Sequence, residues 1–329
     1  MLCLQFCFPC RIPFDSNTQS TNIKCGPFAT NVNDLALAYG LISSSGEDHF
    51  YTKLYDGSGG RGPPPSHLHP KHHVDSNRHP GSGEVDLSDV RLGIFKEWFE
   101  DADPLIVEEA YKAVEYLRSR GATIIDDISI PHMQQLSLSH GLKIASEFAS
   151  GYAKSMSMNP ADIEPATKVV IGLGSTTTAL EILSAEKLRA WAFEYVKKDI
   201  FQKNNLTAML TPVLPGLPPV LTDAAKVAGE SNTAETVKTL RYVFLGNFLG
   251  LPGYSMPIAY AKTTTNGVDH KLPIALQILG DHWSEHHLLR LANVLESEYV
   301  NKKYSSDSTS PDDATSRAVP LYFNDPLAE

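Results

Sequence analysis

The residues of this chain whose types and spacing bear on chemistry are histidines, serines and cysteines. His282-Trp283-Ser284-Glu285-His286 fits the H-x-x-E-H pattern of a zinc hydrolase, in which two histidines on one helix face share the metal. That chemistry needs a continuous helix through both histidines. Gly280-Asp281 directly precedes His282, and Ser284 reads as a helix N-cap, so His282 falls outside the helix and zinc is not expected. Glu285 is then placed to favour the positive end of the helix dipole. Gly57-Ser58-Gly59-Gly60 looks superficially like a nucleophile loop, but it lies in a low-complexity stretch and reads as a flexible linker. Gly172-Leu173-Gly174-Ser175-Thr176 reads as a helix break with Ser175 as its capping residue, and no G-x-S-x-G elbow occurs. Asn247 sits between apolar neighbours, and its amide is expected to make a structural hydrogen bond rather than to touch substrate.

Five histidines, His67, His69, His72, His73 and His79, could hold a divalent metal weakly as an unfolded tract; the reading adopted is a solvated loop. All four cysteines, Cys3, Cys7, Cys10 and Cys25, fall in the first 25 residues. They lack paired C-x2-C knuckles and a neighbouring histidine, so reduced thiols are expected rather than a metal site or a disulfide scaffold. These patterns therefore assign no catalytic, cofactor-binding or metal-ligating residue.

The chain around them has 329 residues, enough for one large or two modest domains. Its 42% hydrophobic and 20% charged residues are ordinary for a globular protein. A net charge of −10 argues against a nucleic-acid partner, since phosphate binding needs clustered Lys and Arg. No apolar run is long enough to span a membrane, and the apolar start MLCLQFCFPC lacks the basic flank and cleavage site of a signal peptide. A cytoplasmic protein is expected.

Apolar periodicity predicts helices over Asn31–Ile42, from Asp103-Pro104 to a stop at Gly121, over Thr236–Leu249 and over Ser284–Tyr299. Residues 132–203 read as mostly helical, broken at Pro160, Pro165 and the Gly172/Gly174 pair. Val90–Phe95, Thr123–Ile130, Ala208–Val213, Tyr254–Ala259 and Ile274–Leu279 read as strands. The strand–helix–strand order around 90–130 indicates α/β construction. Ser43–Asp86, rich in Gly, Pro, Ser and His, offers little to bury and is expected to be an insertion loop dispensable for the fold.

Thr211-Pro212-Val213-Leu214-Pro215, then Arg241–Pro257 (RYVFLGNFLGLPGYSMP), then Leu272–Ala292 (LPIALQILGDHWSEHHLLRLA) resemble, in order and apolar framing, the C-terminal half of the amidase signature family of serine amide hydrolases. Cys25-Gly26-Pro27-Phe28-Ala29-Thr30-Asn31-Val32-Asn33-Asp34 resembles that family's Gly-Pro-x-Ala-x-x-Val-x-Asp segment. The resemblance spans Gly26–Tyr299 and looks closest to the fatty acid amide hydrolase-like branch. It implies a mixed sheet flanked by helices, with the N-terminal part of the fold missing and a sheet edge left open. It divides the chain into an atypical segment 1–25, one amidase-like domain 26–300 interrupted by a disordered loop 43–86, and a flexible tail 301–329. The family works through a Ser–Ser–Lys triad located upstream of the Gly-Pro segment. Carried over by position, all three residues fall before Met1, so none is assigned. The resemblance implies hydrolysis of a carbon–nitrogen bond in a small-molecule amide, without a cofactor, with this isolated chain inactive. The alternative is a non-catalytic pseudoenzyme or partner-binding module that keeps the substrate-shaping half.

Overall fold

The computed structural model describes residues 2–5, 26–42, 85–229, 232–265, 268–282, 284–301 and 303. Seven strands form one mixed sheet: β1 Leu2–Gln5, β2 Phe28–Ala29, β3 Arg91–Gly93, β4 Thr123–Ile125, β5 Ala208–Pro212, β6 Gly253–Thr265 and β7 Val268–Gly280, in the order β2-β1-β6-β7-β5-β3-β4. β3 runs parallel to β4 and β5; the other pairs are antiparallel. The expected runs Val90–Phe95, Ala208–Val213, Tyr254–Ala259 and Ile274–Leu279 supply β3, β5, β6 and β7 in turn. Thr123–Ile130 is a strand only to Ile125, after which a single bridge joins Phe95 to Asp127. β6 and β7 run past the sheet as a two-stranded ribbon to Thr265 and Val268. The edge of β6 is taken by β1, which pairs Cys3 with Ser255.

Period-two alternation gives the sheet two apolar faces. On β5 and β7, Ala208, Leu210, Leu276 and Ile278 belong to one core, and Met209 and Leu279 to the other. The first face is covered by α1 Val32–Ile42, by a helix Pro104–Ser119 and by a helix Glu285–Val294. Pro104–Ser119 carries the apolar stripe that spacing predicts, Ile106, Val107, Ala110, Ala113, Val114 and Leu117; all but Val107, which is half-buried, are buried. It ends where Gly121 takes φ +102°, a conformation glycine adopts without cost. Charges clamp this layer. Arg290 reaches both Asp89 carboxylate oxygens, at 2.6 and 2.8 Å, and the Asp86 carbonyl at 2.9 Å. The Glu296 carboxylate accepts the Val32 N–H at the start of α1, and burial raises its pKa.

The second face carries a short helix Lys96–Phe99 and helices Met133–Met158, Pro165–Thr176, Ala179–Tyr195 and Phe244–Leu249. Gly172 and Gly174, expected to break the helical run, do not; they lie inside Pro165–Thr176. Gly174 is required there because a Cβ would sit 1.9 Å from the Ala145 carbonyl oxygen of the neighbouring helix. The break falls at Thr177–Thr178, where Thr178 and Glu181 form a capping box. The expected helix Thr236–Leu249 is two helices, Thr233–Thr239 and Phe244–Leu249. Between them Tyr242 turns into the core, and its carbonyl is taken by Gln277 at 2.9 Å.

Residues 43–84 and 304–329 lie outside the described residues, so the expected loop and tail are not described. Val85 and Asp86, read from sequence as loop, belong to the folded body. Val85 is buried with its N–H on Glu298, and Asp86 accepts the Ser88 N–H. Among the described residues no helix is long and apolar enough to cross a membrane.

Candidate functional site

A cleft of about 710 Å³ opens on the second face. The end of β3 and the Lys96–Phe99 helix supply Phe95, Trp98 and Asp101. The start of Met133–Met158 supplies His132, Met133, Gln134 and Ser137, and the 233–244 segment supplies Val237, Lys238, Arg241 and Phe244. The wall mixes the two kinds of residue: apolar Phe95, Trp98, Met133, Val237 and Phe244 alternate with polar and charged groups, among them Glu97, Asp101, Lys238 and Arg241.

Hydrogen bonds fix this wall from behind. Trp98 Nε1 donates to the Arg241 carbonyl at 3.1 Å, and its ring lies 5.6 Å from Tyr242 and 6.1 Å from Phe244. The Arg241 guanidinium donates to the Asp101 carbonyl at 2.5 Å and pairs with its carboxylate at 2.8 Å. Beneath the turn, Gln277 is 4% exposed and donates to Thr211 Oγ1 at 3.0 Å as well as to the Tyr242 carbonyl. Thr211 and Ser255 stand opposite Gln277 on the two flanking strands, so a polar row crosses an otherwise apolar sheet. Such a residue inside the run LPIALQILG is legible as an anomaly in a strand, a signal that motif reading passed over. Trp98 carries no comparable signature, whereas Arg241 and Phe244 lie in the Arg241–Pro257 segment noted from sequence.

The residues singled out from sequence are not in the cleft. Ser175 donates to the Ile171 carbonyl of its own helix at 2.8 Å. His282 lies outside the helix Glu285–Val294, and its Nε2 is 3.0 Å from the Leu249 carbonyl, closing the end of Phe244–Leu249. Its Nδ1 faces Asp281 at 3.4 Å. Burial raises the Asp281 carboxyl, but bonds from His282 outweigh that and hold it below the usual range. Arg189 caps the same helix end through the Phe248 carbonyl at 2.5 Å. Glu285 is buried in the first turn, as the dipole argument requires. Among the described residues no group of three His, Cys, Asp or Glu could hold a metal. The Asn247 amide was expected to be satisfied, yet its Oδ1 is buried without a partner. His140 is 2% exposed between Phe244 and Phe248, and burial pushes its pKa down to about 4, so it is neutral. Ser58, the histidines 67–79, Cys7, Cys10 and Cys25 lie outside the described residues; Cys3 falls in β1.

The amidase family's sequence profile matches residues 12–289. This chain belongs to the amidase signature family. A fatty acid amide hydrolase from Oryza sativa subsp. indica is 26% identical over 219 residues, covering 66% of this chain and 34% of that protein. One from Arabidopsis thaliana is 26% identical over 277 residues, covering 82% of this chain and 41% of that protein. These relatives support the fatty acid amide hydrolase-like branch. The chain thus spans only about a third to two fifths of their length. The solved structure of 6-aminohexanoate cyclic dimer hydrolase superposes with a TM-score of 0.63 at 14% identity, covering 91% of this chain and 60% of the hydrolase, and shows a shared fold.

Proposed function

We propose that this chain forms the substrate-holding portion of an amide carbon–nitrogen hydrolase and that the Ser–Ser–Lys residues of the reaction are not among those it supplies. The observation that carries this reading is the cleft of mixed apolar and polar lining on the family-matched body, keyed to the sheet through Trp98, Arg241 and Gln277. An acyl amide would lie along Trp98, Met133 and Phe244, with its polar end toward Gln134, Ser137 and Arg241. Hydrolysis then needs a hydroxyl nucleophile, a base in reach of its proton, and N–H donors for the oxyanion. The two described serines considered above do not suit that role: Ser175 is bonded within its helix, and Ser255 lies in the sheet beside Gln277. The relatives named above are hydrolases of fatty acid amides, and an acyl amide is the substrate class assigned to this cleft by analogy. A cytoplasmic setting is part of the same proposal.

The test is fluorophosphonate labelling, with turnover of short- and long-chain acyl amides, on this chain and on an N-terminally extended version. The expected result is no serine-dependent labelling or turnover by the chain, and both by the extended version. Turnover by the chain that is abolished by one change among Ser58→Ala, Ser175→Ala or Ser255→Ala would overturn the proposal. An extended version that binds acyl amides without turning them over would establish the non-catalytic alternative instead.

A further inference from the structure

Residues 129–132 line the cleft as a strained turn held from outside. His132 has φ 63° and ψ 27°, the left-handed region that a residue with a Cβ enters only at a cost. The usual local reason does not apply. His132 occupies the N-cap position of Met133–Met158, yet its side chain makes no capping bond. The helix Ala179–Tyr195 grips the turn at two points. Tyr195 Oη donates to the Ser129 carbonyl at 3.2 Å, and Trp191 packs on the His132 ring with centroids 5.4 Å apart. Trp191 is itself stacked on Tyr195 at 5.2 Å. Backbone strain persists where neighbours over-determine it, and it gathers at binding sites.

This bracket decides what aromatic surface the cleft offers a guest. Trp98 is 6% exposed and Phe244 2%, so each gives the cleft little more than an edge. Phe95 is half-buried, and His132 is exposed. Trp191 meets the imidazole edge to face, with 69° between the ring planes. That contact occupies at most one face of the imidazole, and among the described residues no other ring lies against it. A free π face therefore belongs to a residue of the cleft wall.

We propose that His132 is a specificity-determining residue of the cleft, whose imidazole stacks on a flat ring in the acyl portion of the amide. Within the acyl amides, the substrate class is then an arylacyl amide. That assignment rests on the reading of the cleft as the substrate site. In that reading the acyl portion runs along Met133, next to His132, and the polar end lies at Gln134, Ser137 and Arg241. A ring on the acyl group thus reaches the imidazole while the amide stays at the polar wall. Paired π rings add to binding beyond the area they bury, at a level that converts to about three- to ten-fold in affinity. A saturated ring of similar size buries as much apolar surface and receives none of that gain.

The experiment compares phenylacetamide with cyclohexylacetamide on the full chain by isothermal titration calorimetry. Phenylacetamide is expected to bind about three- to ten-fold tighter. His132→Asn removes the ring but keeps a residue type that accepts the left-handed backbone. It should abolish the preference and leave the affinity for cyclohexylacetamide within about two-fold, and His132→Phe should restore the preference. Circular dichroism and melting temperature establish that each variant is folded. A measurement on the parent chain needs no variant: bound phenylacetamide should protect His132 from diethyl pyrocarbonate, read by peptide mass spectrometry. Equal affinity for the two amides overturns the assignment of His132 and leaves the cleft reading standing. A preference that survives in folded His132→Asn overturns it too, as does a His132 that stays fully reactive with phenylacetamide bound. Equal loss of affinity for both amides in His132→Asn makes the side chain a structural clip and overturns its selective role. Binding of neither amide overturns the cleft reading and this assignment together.

Discussion

The two faces of the sheet are finished differently. On the first, three helices bury a continuous apolar stripe each, leaving Leu37 and Leu105 exposed, and Arg290–Asp89 and Glu296–Val32 tie the layer to loop and helix starts. On the second, the helices are well packed only close to the sheet. Met133–Met158 buries Leu136, Ser139 and His140 in its first turns and nothing after them, and Ala179–Tyr195 buries only Ala185 and Ala192. The outer stretch is held by Gly174 against Ala145, by Lys143 between Glu147 and Glu186, and by one capping box. Stability is concentrated on one face and available surface on the other, the division expected where binding elements come from the less protected end of a structure.

The sharpest way to break this contrast is a pair of leucine truncations. Leu276→Ala, on the first face, should cost about 2–5 kcal/mol, the range for a buried leucine. Leu180→Ala should stay within about 0.5 kcal/mol. Urea unfolding measures both, and similar losses would erase the distinction. Gly174→Ala comes next, at roughly 1–3 kcal/mol for forced overpacking, and its effect should be local. Hydrogen exchange should quicken across 141–187 and remain unchanged in β5 and β7. Thr178→Ala should cost about 1 kcal/mol through the lost cap and loosen the same stretch.

Two carboxyls on the first face give opposite pH signatures. Arg290 holds Asp89 below the usual carboxylate range, so its contribution is present above about pH 4 and is lost as pH falls through the lowered value. Asp89→Asn should therefore destabilise at neutral pH and match the parent in acid. Burial raises Glu296, so the folded state favours its protonated form; that contribution is present below about pH 4 and is lost as pH rises through the raised value. Glu296→Gln should lose least, or gain, at neutral pH. Melting temperatures from pH 3 to 8 check both signs. The smallest expected effect is replacement of 43–84 by a short Gly/Ser linker, since closure entropy changes by only about 0.6 kcal/mol per doubling of loop length. A drop of many degrees would show that the loop contributes to the core.

The sheet and its first layer were legible because their apolar residues repeat at regular intervals. Pro104 and Gly121 bracket their helix where sequence placed them, and β5, β6 and β7 contain the expected runs. Helix boundaries on the second face were not legible, because long-range contacts decide them. Gly174 looks like a breaker until the Ala145 backbone is beside it, and the break at Tyr242 depends on a glutamine thirty-five residues away. The cleft was missed for the same reason. It is assembled from 95–101, 129–137 and 234–244, and although the last overlaps the Arg241–Pro257 segment, nothing local brings the three together. The H-x-x-E-H pattern, conspicuous in sequence, turned out to close a helix end through His282.

Gln277 also bears on how the chain avoids folding wrongly. Side chains alternate across a strand, so sliding β7 by one residue against its neighbours would turn this amide into the hydrocarbon of the first face. Its hydrogen-bonding group would find no acceptor there, at a cost of roughly 1–3 kcal/mol. A hairpin made of two thirteen-residue strands has many near-equivalent pairings to sample. One buried amide that is satisfied only opposite Thr211 and Tyr242 penalises the slipped ones, and so acts as a proofreading mark for strand alignment while the sheet is being assembled.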